Sequence, residues 1–186
     1  MMRWDILRNI ILNYDVRILA EVGVQSGDTT CRLLSSVPSI ELYYAIDPWF
    51  FYDGFEKSIF EIHDGYRPLI EVNQQGMDKN YNEFIKRIST FKNEIRNKIK
   101  IIKEMSVDAR NHIEDGELDL CFIDANHSYE FVRSDIDCWL PKIKKGGILA
   151  GHDYGLPGAG INKAVDECFN RDELFTGDDM TWWVKV

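Results

Sequence analysis

The chain has 186 residues, of which 45% are hydrophobic and 28% charged, and its formal net charge at pH 7 is -9. This length and composition are typical of one globular domain with a sizeable apolar core, and we expect a single domain over 1–186. The excess of carboxylates argues against nucleic acid as a partner, because neutralising phosphates requires a basic surface. A small, neutral or cationic molecule is the expected partner.

The first helical pattern is amphipathic. Charged residues interrupt the apolar positions of 1–17, so this stretch predicts neither a signal peptide nor a membrane span, and we expect no membrane partner. The four cysteines form no CxxC pair of the kind found in zinc and redox motifs. We therefore expect reduced thiols and a cytoplasmic protein, and the sequence leaves a homo-oligomer open.

Apolar strands alternate with helical patterns along most of the chain. Strands are predicted at 16–22, 41–47, 98–105, 117–124 and 146–153, and a closing hairpin ends in a strand at 181–186. This alternation implies a parallel sheet with helices on both faces. The predicted fold class is α/β: a doubly wound, mostly parallel, seven-stranded, Rossmann-like sheet with a C-terminal antiparallel strand.

One long insert, at about 49–97, interrupts this alternation. Its first part is rich in aromatic residues with glycine breaks, and its second part, 77–95, has a helical period. Such an insert is typical of a lid or a substrate wall, and the alternative is a packed excursion with its own apolar cluster. Trp49, at the start of the insert, can flank a bound base or pack in the core.

Doubly wound sheets bind ligands at the carboxyl ends of their strands. The first strand runs into "EVGVQSGDTT", where Gly23 and Gly27 permit a tight turn before a helix N-terminus, which suits a carboxylate or phosphate. The second strand ends at Asp47, twenty residues after Gly27, a spacing that suits an acid accepting hydrogen bonds from a ribose diol. Together these features predict an adenosine-containing ligand.

The fourth and fifth strands end in ionisable residues. The fourth runs into "FIDANHSYE", so that Asp124 ends a strand and His127 follows it, and the fifth ends in His152 and Asp153. Neighbouring strands lie about 4.8 Å apart, so Asp124, His152 and Asp153 can share an ion, and this donor set suits manganese, iron or zinc better than magnesium. The alternatives are a helix cap for Asp124, a solvated loop residue for His127, and a turn without metal for His152 and Asp153.

Five segments resemble the successive motifs of a known family. The segments are "AEVGVQSGDTT", "AIDPW", "MSVDA", "LDLCFIDANHSYE" and "WLPKIKKGGILAGHDY". They are similar to motifs of class I S-adenosylmethionine-dependent methyltransferases, in the branch that resembles catechol O-methyltransferase. The resemblance covers about 16–186 and leaves the insert largely unmatched. A dinucleotide site would instead require G-x-G-x-x-G, whereas this chain has E-x-G-x-x-x-G.

The resemblance implies a role for each matching residue. For S-adenosylmethionine it implies contacts from Glu21, Gly23, Gly27 and Thr29 to the methionine part, from Asp47 to the ribose, from Ser106 and Val107 to the adenine, and from Asp124 near the methyl group. It places His127 at the position of the base, where catechol-type enzymes carry a lysine. It places His152 and Asp153 where that group has a metal-binding acid and amide.

The leading interpretation is a methyltransferase that uses S-adenosylmethionine to methylate a hydroxyl of a small molecule. A hydroxyl becomes a good nucleophile when its proton leaves, so the expected catalytic residues are Asp124, beside the methyl group, and His127 or His152 as the base. A divalent metal ion could instead lower the pKa of the hydroxyl. The alternatives are an NAD(P)-dependent oxidoreductase on a Rossmann-like sheet and a non-catalytic adenosine-binding module.

Overall fold

A computed structural model describes residues 2–52, 73–158 and 160–186. The helices are α1 (Arg3–Asn13), α2 (Asp28–Ser36), α3 (Gln74–Ser89), α4 (Asn93–Arg96), α5 (Ser106–Ala109), α6 (Tyr129–Trp139) and α7 (Gly160–Cys168). The strands are β1 (Ile18–Val22), β2 (Leu42–Ile46), β3 (Ile99–Ile102), β4 (Leu118–Ile123), β5 (Ile143–Gly151), β6 (Phe175–Thr176) and β7 (Trp182–Lys185). Short 3-10 turns, Arg110–His112 and Leu140–Lys142, follow α5 and α6.

The strands form one sheet in the order β3-β2-β1-β4-β5-β7-β6. The first five are parallel, whereas β7 runs antiparallel to β5 and β6 antiparallel to β7. The predicted fold class is therefore confirmed. The strand order reverses between β1 and β4, and such a reversal opens a crevice at the carboxyl ends of the strands where ligands bind.

Both faces of the sheet are covered, because successive side chains of a strand point to opposite faces. Leu19 of β1 packs in one apolar cluster with residues of α1, α2 and α3, whereas Ala20 packs in a second cluster with residues of α5, α6 and α7. The central strand β4 is buried along its whole length. This two-sided burial explains why the strands read as continuous apolar runs.

Several element boundaries differ from the predicted ones. The third strand ends at Ile102 rather than 105, since Ser106 already begins α5. The helical pattern at 77–95 is two helices, α3 and α4, separated at 90–92. The hydroxyls of Ser89 and Thr90 donate hydrogen bonds to carbonyls of the preceding turn, and such bonds give the backbone an alternative to continuing the helix.

The remaining predictions concern the membrane, the thiols and the insert. In the part of the chain that the structure describes, no helix combines the length and the apolar character needed to cross a membrane. All four cysteines are free thiols: Cys31, Cys121, Cys138 and Cys168. The predicted lid falls partly on 53–72, which lie outside the described residues.

Candidate functional site

A cavity of about 330 Å³ lies at the carboxyl ends of the strands, on both sides of the point where the strand order reverses. Its volume falls within the range of small-molecule sites. Most residues that the sequence predicts for the site line it, namely Glu21, Gly23, Thr29, Asp47, Ser106, Asp124, His127 and Asp153. Gly27, Val107 and His152 are not among the lining residues.

The turn after β1 brings two strand ends together. Gly23 has a φ of 96°, and a Cβ atom there would lie 2.1 Å from the carbonyl oxygen of Asp124, so only glycine fits. Gly27 has a φ of 80°, and a Cβ atom there would lie 2.4 Å from the ring of Phe84 in α3. Gly23 therefore lets the backbone after β1 approach the backbone after β4, and Gly27 lets α3 close over the start of α2.

Glu21 is a buried carboxyl group at the floor of the cavity, with 2% of its surface exposed. Its Oε2 accepts a hydrogen bond of 2.6 Å from the hydroxyl of Tyr43 and another from the hydroxyl of Thr30. Burial raises the pKa of Glu21 to about 7, although both hydrogen bonds act in the opposite direction. The group therefore binds a proton readily unless a positive charge comes close to it.

Asp47 ties the turn after β1 to the turn after β2. Its Oδ2 accepts the backbone N–H of Gln25 at 2.9 Å, and its Oδ1 accepts that of Trp49 at 2.8 Å. Burial raises the pKa of Asp47, whereas these backbone hydrogen bonds lower it in part. An ionised carboxylate offers about four acceptor positions, so acceptor capacity remains for a ligand.

Trp49 packs in the core. Its indole is fully buried, stacks on Phe84 with ring centroids 5.4 Å apart, and donates a hydrogen bond of 2.7 Å to the carbonyl of Gln25. Trp49 therefore packs in the core and also lines the cavity, where it can flank a bound base. Both Gln25 and Trp49 have positive φ values, of 53° and 46°, and such strained residues concentrate at functional sites.

The end of the cavity next to β3 contains a carboxyl group that the sequence did not suggest. Asp135 of α6 is 3% exposed, lines the cavity, and accepts a hydrogen bond of 2.5 Å from the hydroxyl of Ser106. That hydroxyl in turn accepts a hydrogen bond of 2.8 Å from Trp139 Nε1. Burial raises the pKa of Asp135 to about 7, against the effect of the Ser106 hydrogen bond. The sequence feature that could have indicated Asp135 is its position as an acid on the apolar face of α6, between Val132 and Trp139.

The opposite end of the cavity contains a cluster of charged and imidazole groups. Arg3 Nη1 lies 2.5 Å from Asp124 Oδ2, and His127 Nε2 lies 3.2 Å from Asp153 Oδ2. His152 Nδ1 lies 3.1 Å from Asp153 Oδ1 and 4.0 Å from Asp124 Oδ1. Arg3 was not among the predicted site residues, since it lies 121 positions from Asp124 in the sequence.

The pKa values in this cluster shift with the neighbouring charges. Burial lowers the pKa of His152, but Asp153 and Asp124 outweigh it and the net shift is upwards. Burial raises the pKa of Asp153, but contact with His152 and the positive charges of His127, His152 and Arg3 produce a net decrease. The negative charge of the carboxylates in this cluster is therefore compensated by positive groups of the same cluster.

The predicted metal site fits in geometry but not in charge. Asp124, His152 and Asp153 each present one donor atom, and these atoms lie within 4.8 Å of one another. However, the guanidinium of Arg3 already contacts Asp124, so a divalent ion on this carboxylate would lie at short range from a fixed positive charge. No catalytic step is therefore assigned to a metal ion.

The first residues of the insert form one wall of the cavity. Phe50 and Tyr52 line it, and the ring of Tyr52 lies 5.7 Å from that of Phe131 in α6. The amide of Asn126 donates a hydrogen bond of 3.4 Å to the Tyr52 hydroxyl. The described start of the insert is thus a wall of the cavity, and its role as a substrate wall stays a prediction.

Carboxyl groups dominate the lining of the cavity. Six carboxyl side chains and one guanidinium, that of Arg3, are among the described lining residues; the six are Glu21, Asp28, Asp47, Asp124, Asp135 and Asp153. This imbalance favours a ligand with positive charge and disfavours one with a pyrophosphate.

Comparisons with known proteins give a family and a fold. The sequence model of a methyltransferase domain matches residues 20–154. The uncharacterised protein y4gI of Sinorhizobium fredii is 25% identical over 140 residues, which are 74% of this chain and 13% of that protein. The chain thus spans about one eighth of the length of this curated relative.

Three solved structures have similar folds at low sequence identity. The O-methyltransferase NovP is 17% identical with a TM-score of 0.67, and the comparison covers 98% of this chain and 78% of NovP. The calicheamicin methyltransferase CalS11 is 13% identical with a TM-score of 0.66, covering 98% and 76%. An rRNA methylase from Streptococcus thermophilus is 12% identical with a TM-score of 0.59, covering 97% and 92%. Because one of these proteins is a calicheamicin methyltransferase and another an rRNA methylase, the shared fold does not identify the acceptor of this chain.

Proposed function

Because the chain belongs to the methyltransferase domain family, in the class I branch that depends on S-adenosylmethionine, we propose that it methylates a hydroxyl oxygen of a small molecule. The observation that carries this proposal is the charge of the cavity, whose described lining residues include six carboxyl groups and one guanidinium. A sulfonium and an ammonium group are attracted by such a lining, whereas the pyrophosphate of a dinucleotide is repelled. The same charge disfavours the oxidoreductase alternative.

The cofactor half of the site is formed by the ends of β1, β2 and β3. S-adenosylmethionine, when bound, supplies a methyl group on a positively charged sulfur. Glu21 provides negative charge at the floor, and Gly23 leaves the backbone open to close approach. Asp47 keeps acceptor capacity for ribose hydroxyls beside its backbone hydrogen bonds. Ser106 and Asp135 remain for the nucleobase, because they lie beyond Asp47 on the side of β3.

The acceptor half is formed by the ends of β4 and β5. His127 lines the cavity and we assign it the role of the base, accepting the proton of the acceptor hydroxyl. Asp153, 3.2 Å from His127 Nε2, orients the imidazole and stabilises its protonated form. His152 lies behind Asp153, outside the lining, and supports this pair. The aromatic side chains of Tyr52 and Phe131 provide an apolar wall of the cavity.

Ligand-induced thermal stabilisation tests the cofactor. S-adenosylmethionine or S-adenosylhomocysteine at 100 times its dissociation constant should raise the free energy of unfolding by about 2.7 kcal/mol, and NAD(H) should have no effect. Stabilisation by NAD(H) alone would overturn the proposal in favour of the oxidoreductase.

A transfer assay tests the acceptor. Methyl transfer from radiolabelled S-adenosylmethionine to a panel of phenols, sugars and hydroxy acids should detect a small-molecule product, and RNA in the same assay should remain unlabelled. Labelled RNA would contradict the acceptor class. Stabilisation by the cofactor with no transfer to any member of the panel would favour the non-catalytic module.

A further inference from the structure

Arg3 is held at the acceptor end of the cavity by the packing of α1. The apolar face of this helix is buried against the sheet through Ile6, Leu7, Ile10 and Ile11. The first turn therefore lies at a fixed place beside the ends of β1 and β4. The side chain of Arg3 is 30% exposed, lines the cavity, and contacts Asp124 at 2.5 Å.

The surroundings of Arg3 are negative. Asp124 and Asp153 bring two carboxylates to the same end of the cavity, and Glu21 lies near enough for its pKa to be lowered slightly by Arg3. The imidazoles of His127 and His152 also lie at this end, where both contact Asp153. Arg3 is the one arginine or lysine among the described residues that line the cavity. It thus contributes the permanent positive charge of this region.

We propose that Arg3 takes the place of a divalent metal ion at the acceptor end: its guanidinium neutralises Asp124, faces the acceptor oxygen, and keeps divalent ions out of the donor set Asp124, His152 and Asp153. A guanidinium is charged at all accessible pH values and has five donors, of which one contacts Asp124 here. The remaining donors can bind an oxygen that becomes negative when its proton leaves. This part of the inference rests on the proposed function, whereas the exclusion of metal ions does not.

The distance between the groups explains why Arg3 and a metal ion compete. The three donor atoms lie within 4.8 Å of one another, and Asp124 offers one of them while its other oxygen contacts Arg3. A divalent ion held by Asp124 would therefore lie within a few ångströms of the guanidinium, where like charges repel strongly in a partly buried site. Removal of Arg3 leaves the same donors with an uncompensated negative charge, which attracts a cation.

Calorimetric titration with Mn²⁺ alone tests the inference. The wild-type chain should show at most weak binding, and Arg3→Ala should bind one Mn²⁺ about 10- to 100-fold more tightly. Arg3→Gln, which keeps most of the side chain without the charge, should behave in the same way. Asp153→Asn combined with Arg3→Ala should abolish the gained binding. Arg8→Ala, an exposed arginine of the same helix, should leave Mn²⁺ binding at the wild-type level.

Two results would overturn the inference. One is tight, Asp153-dependent binding of Mn²⁺ by the wild-type chain, and the other is the absence of gained binding in both Arg3 variants while their circular dichroism and thermal unfolding show that they are folded. These outcomes are independent of the cofactor test. If S-adenosylhomocysteine fails to stabilise the chain, the proposed function fails, and the Mn²⁺ titration still decides the role of Arg3.

Discussion

The carboxyl groups at the two ends of the cavity differ in their partners and in their pKa shifts. At the cofactor end, Glu21, Asp47 and Asp135 accept hydrogen bonds from hydroxyls and backbone N–H groups, and burial raises the pKa of all three. At the acceptor end, Asp124 contacts Arg3, and Asp153 contacts two histidines and has a lowered pKa. Among the described lining residues, the cofactor end has no arginine or lysine, whereas the acceptor end has Arg3.

This difference has a functional meaning. A cofactor that carries a sulfonium and an ammonium group brings the missing positive charge to the cofactor end when it binds. At the acceptor end the substrate is a neutral hydroxyl that becomes negative as its proton leaves, so the compensating charge has to come from the protein. Substitutions confined to one end of the cavity can therefore test this difference.

The largest expected effect is on turnover, at the acceptor end. His127→Ala should lower kcat by about 10²- to 10⁴-fold, the range typical of a lost general base. The dissociation constant of S-adenosylhomocysteine should change little, because His127 belongs to the acceptor end. Single-turnover methyl transfer and a binding titration with S-adenosylhomocysteine measure the two quantities separately.

The control for this experiment is His112→Ala, which removes an exposed histidine paired with Glu104. It should leave both turnover and binding unchanged. An unaltered rate in His127→Ala would show that His127 is not the base. The role would then pass to His152.

At the cofactor end, Asp47→Asn should weaken the binding of S-adenosylhomocysteine by about 10- to 100-fold, because the charge-assisted hydrogen bonds to the ribose are lost. Asparagine keeps one acceptor oxygen, which can retain the hydrogen bond from one of the two backbone N–H groups, of Gln25 or Trp49, whereas alanine would lose both. The measurement is a binding titration, with Asp115→Asn, an exposed acid paired with Lys142, as the control. Unchanged affinity would show that the ribose lies elsewhere.

Much of the fold and of the strand-end chemistry could be predicted because parallel strands deliver their carboxyl ends to one edge. Asp47 and Asp124 each follow an apolar run directly, and Asp153 follows one after a single histidine, so their proximity follows from the topology alone. The structure shows the same residues around one cavity. Their roles in binding and catalysis stay predictions.

Arg3 and Asp135 could not be predicted by the same reasoning. Each lies on a helix, and the periodicity of a helix predicts which side is buried but not which strand end a given residue reaches. Arg3 meets Asp124 only because α1 packs beside the crevice, and Asp135 meets Ser106 only because α6 packs against α5. Val107 illustrates the converse, since its neighbour Ser106 lines the cavity while Val107 itself is 39% exposed and lies outside it.

The smallest expected effect, in the free energy of unfolding, concerns Asp135. Its pKa is raised to about 7 in the folded chain, so the folded state keeps a proton that the unfolded state has lost, and stability falls as the pH rises from about 4 towards 7. Asp135→Asn removes the carboxyl group, so the loss of stability between pH 5 and pH 8 should be smaller by about 1 to 2 kcal/mol. Glu21, with its pKa also raised to about 7, should still contribute a similar fall.

Urea unfolding of the ligand-free chain at pH 5 and pH 8 measures this difference. Asp137→Asn is the matched control, because Asp137 lies on the same helix but is exposed and paired with Arg133. Its pH dependence should equal that of the wild-type chain. If Asp135→Asn also retains the full wild-type dependence, Asp135 is ionised in the folded chain at pH 5, and a positive group must then compensate it. The protein itself would then compensate the charge of Asp135, as Arg3 compensates that of Asp124. The proposed difference between the two ends would not hold for Asp135.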